Sequence, residues 1–148
     1  MNCRVEKSNI SGNIVCPPNK SYTHRAIFLA SLAINKSIIK NILRSDDTNA
    51  TINACKNFGV EINNVGADIT VTSANELKLH SNTIDAANSG TTIRIATAIS
   101  TLSSDKIVLT GDSSLKKRPM QPLLDALEYW MQNAVHLMVI HQYQSQEK

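Results

Sequence analysis

Aromatic residues are scarce: the 148-residue sequence holds two Phe, three Tyr and one Trp. A surface that stacks nucleotide bases interleaves aromatics with cations, so this shortage argues against a single-stranded nucleic-acid binder. The net charge of +3 is too mild to supply a basic stripe for nucleic acid. No apolar run approaches the roughly 20 residues that span a bilayer, so no membrane partner is expected. The opening Met1-Asn2-Cys3-Arg4-Val5-Glu6 lacks the apolar core of a secretion signal, and the expected location is cytoplasmic. Cysteine is confined to Cys3, Cys16 and Cys55, odd in number and without a C-x-x-C pair, which fits reduced cytosolic thiols. Cys16 and His24 do not make a zinc site; scattered residues of this kind are packing or surface positions, so no metal is expected.

What is present is an ordinary apolar content of 42%, enough for one soluble globular domain with a modest core. Arg4-Val5-Glu6 and Gly12-Asn13-Ile14-Val15 read as two short strands around a turn. A helix follows over about 21–33, with Ile27, Leu29, Ala30, Leu32 and Ala33 as its apolar positions. Ser37-Ile38-Ile39-Lys40-Asn41-Ile42-Leu43 reads as a buried strand. Ser45-Asp46-Asp47-Thr48 starts a second helix, Ile52, Cys55 and Phe58 mark its apolar face, and Gly59 suits the position just past its end. Val60-Glu61-Ile62 and Ile69-Thr70-Val71 alternate as strands around Gly66, with Leu77-Lys78-Leu79 a weaker third. A third helix carries Ile93, Ala96, Ile99 and Leu102, and a strand over 105–112 ends in a Gly-Asp turn. A short helix over 122–127 closes the series. This rhythm predicts an α/β fold with mixed sheets and crossover helices.

Three stretches are candidate anion seats. In Pro17-Pro18-Asn19-Lys20-Ser21-Tyr22-Thr23-His24-Arg25 the prolines hold the chain extended before a helix start, where N–H groups lack partners and the dipole is positive. Lys20 precedes that start, and Ser21 and Arg25 share a helical face. The plain alternative is a Ser cap with a solvated Arg. In Asn88-Ser89-Gly90-Thr91-Thr92, Gly90 lets a ligand approach the backbone of another helix start; an ordinary helix entry is the plain alternative. Neither a Walker loop nor a dinucleotide fingerprint is present. In Leu115-Lys116-Lys117-Arg118-Pro119 the proline holds Arg118 extended, as suits a guanidinium reaching for a carboxylate or phosphate; a solvated loop is the alternative. Asp46 and Asp47 point apart at a helix start, which favours a cap or dipole role over a catalytic pair. His24 has no orienting carboxylate along its helix and is read as lining a site or packing.

Together these residues resemble one family, 5-enolpyruvylshikimate-3-phosphate synthase, also called 3-phosphoshikimate 1-carboxyvinyltransferase. The resemblance runs through Pro17-x-Asn19-Lys20-Ser21-x-x-x-Arg25-Ala26, Ser45-Asp46-Asp47-Thr48, Phe58-Gly59-Val60 and Asn88-Ser89-Gly90-Thr91-Thr92-x-Arg94. It continues in Leu109-Thr110-Gly111-Asp112-x-Ser114-Leu115-Lys116-x-Arg118-Pro119-Met120 and Pro122-Leu123-Leu124-Asp125-Ala126-Leu127. It implies transfer of the enolpyruvyl group of phosphoenolpyruvate to the 5-hydroxyl of shikimate 3-phosphate with release of phosphate, on the route to chorismate. By motif, Lys20 looks like the lysine that touches both substrates, and Ser21 and Arg25 like shikimate 3-phosphate contacts. Gly90 and Arg118 resemble phosphoenolpyruvate-binding positions. The family uses no cofactor and is usually monomeric at full length.

The resemblance also implies what is missing. The family fold has two domains, each of three βαβαββ units, and this chain holds the first unit and part of the second. The family's general acid and base carboxylates and its Ser-Ser-Gln phosphate site have no counterpart in this chain, so no catalytic residue is assigned and the chain alone is expected to be inactive. Ile95 stands after Arg94 where the family usually has proline. Residues 1–128 read as family sequence. Residues 129–148 do not: they lack Gly and Pro, hold four of the five glutamines and the Trp, and miss the expected Leu-Gly strand. A shift of reading frame near Glu128 would produce that break. The alternatives are a non-catalytic fragment or pseudoenzyme, and a relative that transfers enolpyruvyl to UDP-N-acetylglucosamine, whose opening motif resembles Lys-Asn rather than Lys20-Ser21.

Overall fold

The computed structural model describes residues 3–4, 6–74 and 76–130. Its elements run α1 (Lys20–Leu32), β1 (Lys36–Ile39), α2 (Asp46–Asn57), β2 (Glu61–Val65), β3 (Asp68–Thr72), β4 (Thr83–Asp85), α3 (Gly90–Ser100), β5 (Val108–Thr110), a 3-10 turn (Leu115–Lys117) and α4 (Gln121–Trp130). The expected mixed α/β character is present. Strands β1, β3 and β2 form an antiparallel sheet in that order, and β4 and β5 form a parallel pair. Register is Ile38 opposite Thr70, Asn63 opposite Thr70 and Ile84 opposite Leu109.

The apolar stripes of the helices close on these strands. Ile27 and Phe28 from α1, Ala54, Cys55 and Phe58 at α2, Ile69 and Val71 from β3, Ile84 and Leu109 from the parallel pair, and Ile93, Ala96 and Ile99 from α3 are all buried in one cluster. Each such branched side chain contributes about 1.5–3 kcal/mol by leaving water. Helix α2 packs against both α1 and α3, and α1 and α3 also touch. Its start and stop follow from sequence: Ser45 and Thr48 form a reciprocal capping box, and Gly59 takes φ +90 just past its end.

Several expectations are corrected. No strand forms over residues 12–15, and Ile10, Ile14 and Val15 are exposed, because a run of four residues with no partner strand cannot hold a ladder; the reading of Arg4-Val5-Glu6 as a strand rests on Val5, which lies outside the described residues. Helix α1 begins at Lys20, and its cap is Asn19, whose Oδ1 accepts from the Tyr22 N–H at 3.0 Å. Leu29 and Leu32 are exposed rather than core positions. Strand β1 is short and lies at the edge of its sheet with Ile38 exposed, so a β-rich run did not mean burial. Leu77-Lys78-Leu79 is no strand. It straps the end of α2, where the N–H of Lys78 bonds Phe58 O at 3.2 Å and that of His80 bonds Asn57 O at 2.9 Å. Strand β4, with one buried apolar residue, was not expected. Leu102 lies beyond the end of α3 and is exposed. Helix α4 extends past 127 to Trp130; the tail reading from residue 131 onward lies outside the described residues.

Candidate functional site

The N-termini of α1, α2 and α3 converge on one cleft of about 600 Å³. From α1 and α2 it receives Lys20 and Asp47, from the entry to α3 Asn88, Ser89 and Gly90, from the second turn of α3 Arg94, and from the end of the 3-10 turn Arg118. Three cations therefore face one carboxylate, and three helix dipoles add positive potential to the same space. At α3 the Ser89 side chain accepts from the Thr92 N–H, and the Ile93 N–H bonds Ser89 O at 3.1 Å. Of the four orphan donors at this helix start, those of Gly90 and Thr91 are left without an acceptor among the described residues.

Lys20 Nζ donates to Asp47 Oδ2 at 2.7 Å. The lysine side chain is half exposed, so this pair adds little stability; it fixes where the ammonium sits. Arg118 has extended backbone (φ −80, ψ 134) before Pro119, and its Nη2 donates to Asn88 Oδ1 at 3.0 Å. Asn88 in turn donates to Asp112 Oδ2 at 2.7 Å. Arg94 Nη1 donates to Gly90 O at 3.0 Å and its Nη2 to Pro119 O at 3.3 Å. A Cβ on Gly90 would lie 2.7 Å from Arg118 Nη1 and 2.9 Å from Arg94 Nη1. The glycine thus leaves room for two guanidiniums over a helix start.

The cleft brings together Lys20, Gly90 and Arg118 from three distant motifs. Ser21 and Arg25 are not in its lining: Ser21 is exposed and its carbonyl accepts from Arg25 Nε at 3.2 Å, while the Arg25 guanidinium lies 5.2 Å from the Tyr22 ring centre. Sequence reasoning quoted Asn88 and Arg94 within its motifs without giving either a role, and it missed Asp47 as the partner of Lys20. Asp47 does sit at a helix start as read, but a pairing across 27 residues leaves no local signal.

Behind the cleft wall, His24 is 1% exposed, with Nδ1 2.6 Å from Thr51 Oγ1. Burial lowers its pKa from the usual value; Asp47 opposes that shift and Lys20 adds to it. Cys55 is fully buried, and its thiol is pushed up to about 12 by burial, so it is no nucleophile. Cys16 is exposed and far from that environment in character. Among the described residues no cluster of three or more His, Cys, Asp or Glu side chains could hold a metal, and no helix is long and apolar enough to cross a membrane.

Comparison with known proteins agrees with the motif reading. Residues 5–139 match the sequence model of EPSP synthase (3-phosphoshikimate 1-carboxyvinyltransferase). The chain is 60% identical over 127 residues to the 3-phosphoshikimate 1-carboxyvinyltransferase of Nitrosopumilus maritimus, covering 86% of this chain and 30% of that protein. It is 46% identical over 128 residues to that of Methanothermobacter thermautotrophicus, with the same coverage. A solved EPSP synthase from Acinetobacter baumannii superposes with a TM-score of 0.74 at 29% identity, over 80% of this chain and 27% of that one. The chain spans about 30% of the length of the curated relatives it matches. Motifs, fold and relatives agree that this chain belongs to the EPSP synthase (3-phosphoshikimate 1-carboxyvinyltransferase) family.

Proposed function

We propose that this chain forms one wall of an enolpyruvyl-transfer site, holding phosphoenolpyruvate and shikimate 3-phosphate by their anionic groups. The observation that carries this reading is the convergence of three helix starts with Lys20, Arg94 and Arg118 around one cleft. Phosphoenolpyruvate presents a carboxylate and a phosphate, which suit the Arg118 guanidinium and the N–H groups at Gly90. Lys20 reaches both substrates, and Ser21 and Arg25 contact shikimate 3-phosphate from the outer face of α1. In the transfer, an acid gives C3 of the enol a proton as the 5-hydroxyl oxygen, losing its own proton to a base, bonds to C2. A base then takes a proton from C3, re-forming the double bond as the C2–O bond to phosphate breaks and phosphate leaves with the electron pair. This wall orients the partners and neutralises their charge. The acid and base groups belong to segments of the family that this chain does not carry, so it does not turn over alone. The expected setting is cytoplasmic, and full-length members of the family are usually monomeric.

The test is turnover of shikimate 3-phosphate with phosphoenolpyruvate by the 148-residue chain, alone and with the remaining family segments supplied as a second polypeptide. Activity only in the mixture is expected; robust turnover by the chain alone overturns the one-wall reading. The frame change proposed near Glu128 rests on the change of composition and the missing Leu-Gly strand, although α4 runs on to Trp130 and the family match to residue 139. Sequencing the gene tests it: another frame downstream should encode that strand and the later units, and its absence overturns the frame change.

A further inference from the structure

A file of hydroxyls runs from His24 to the cleft. Thr51 Oγ1 lies 2.6 Å from His24 Nδ1 and 2.6 Å from Thr92 Oγ1, and Thr92 Oγ1 donates to Ser89 Oγ at 2.7 Å. His24 belongs to α1, Thr51 to α2, Thr92 to the first turn of α3, and Ser89 caps α3. All four are at most 1% exposed. The other ring nitrogen, His24 Nε2, is buried and has no hydrogen-bond partner among the described residues.

That orphan decides the tautomer. A buried N–H without an acceptor is rarer and costlier than a buried lone pair without a donor. The ring proton therefore belongs on Nδ1, where Thr51 Oγ1 can accept it. Thr51 has a single hydroxyl hydrogen, so accepting from the ring frees it to donate to Thr92, and Thr92 then donates to Ser89. With the proton on Nε2 instead, Thr51 would have to turn its hydrogen back to the ring, and the file would run the other way. The carbonyl of Asp47 lies 3.4 Å from Thr51 Oγ1 and 3.5 Å from Thr92 Oγ1, too far to compete with the short contacts.

We infer that His24 is a positioning residue of the cleft: held neutral with its proton on Nδ1, it directs a one-way chain of hydroxyls through Thr51 and Thr92 to Ser89 that locks the starts of α1, α2 and α3 together. Lys20, Asp47 and Gly90 stand at those three starts, so their spacing depends on the chain. The role deepens the anion-site reading and rests on it for its effect on binding, but the tautomer does not. Protonation would place a second N–H and a charge at the orphaned position. The charged groups acting on the ring are Asp47 on α2, which favours the charge, and Lys20 on its own helix, which opposes it.

Long-range proton–nitrogen correlation on the isotopically labelled 148-residue chain, from pH 8 to pH 5, reads the tautomer directly, with His24→Asn identifying the signal. A protonated Nδ1 and bare Nε2 are expected at pH 8, with protonation setting in at lower pH than for a free imidazole. A proton on Nε2, or titration like a free imidazole, overturns the inference. Calorimetry with phosphoenolpyruvate then reads position. The amide of Asn lies where Nδ1 does and keeps a donor to Thr51, whereas Leu fills the space without one. His24→Leu should weaken binding about tenfold, the scale of one buried hydrogen bond, and His24→Asn by no more than about twofold. Equal losses in the two variants, or none in His24→Leu, overturn the positioning role. If the unaltered chain binds no phosphoenolpyruvate while the tautomer is as expected, the function proposed above fails and the hydroxyl chain stands.

Discussion

At Gly90 the reason for glycine is space rather than backbone freedom, since its φ is not positive and the neighbours of a Cβ would be the tips of Arg118 and Arg94. Those tips can swing aside, so Gly90→Ala should leave stability within about 1 kcal/mol of the parent chain. It should still weaken phosphoenolpyruvate binding about tenfold, because the guanidiniums move off their aim. Denaturant melts and calorimetry on one sample check both halves; unchanged binding would remove Gly90 from the site. His24 makes a second residue-scale prediction. Its folded-state pKa lies below the usual 6.5, so below pH 6.5 the unfolded chain binds the proton first. Its contribution to stability is complete above pH 6.5 and declines as pH falls toward the folded pKa, by at most about 1.4 kcal/mol per pH unit. His24→Asn should flatten this part of the stability curve, measured by urea unfolding between pH 7.5 and 5. A curve parallel to the parent's would refute the assignment.

Among the elements, α2 was the most legible because both of its ends are written in side chains: a Ser-x-x-Thr cap at 45–48 and Gly59 at the stop. The stop also has a packing reason that no local pattern carries. A Cβ on Gly59 would meet the carbonyl oxygen of Lys78 at 2.8 Å, in the strap that caps the helix. Gly59→Ala should therefore cost more than the roughly 1 kcal/mol of positive φ alone, with the protection of the Lys78 and His80 amides from hydrogen exchange reduced. A loss of 0.5 kcal/mol or less, in the units of the same melts, would show that the strap yields freely. Strands were read less well for one physical reason: a strand is defined by its partner. Residues 37–43 have the composition of a central strand yet supply an edge, and Thr83-Ile84-Asp85 has little composition at all yet pairs with Val108-Leu109-Thr110. The three anion motifs were legible because each marks a helix start. Their convergence was not, because it depends on how α1, α2 and α3 pack.

For the whole molecule, the family and the cationic wall of the cleft follow from the first 130 residues, while the described surface leaves Ile10, Ile14, Val15, Leu29, Ile34 and Ile38 in solvent. Those side chains fit a chain that spans about 30% of its curated relatives, in which further segments would have surfaces to cover. The buried file behind the cleft belongs to this scale too. His24, Thr51, Thr92 and Ser89 lie on three elements, and no spacing rule links them. The central claim is that Lys20, Gly90 and Arg118 form one anion-binding wall, and the most direct measurement is calorimetric titration of phosphoenolpyruvate into the chain with shikimate 3-phosphate present. Saturable binding that weakens with added salt is predicted, with Arg118→Ala at least about tenfold weaker for loss of a charge-assisted contact. Absence of binding to the parent chain, or equal affinity in Arg118→Ala, would contradict it.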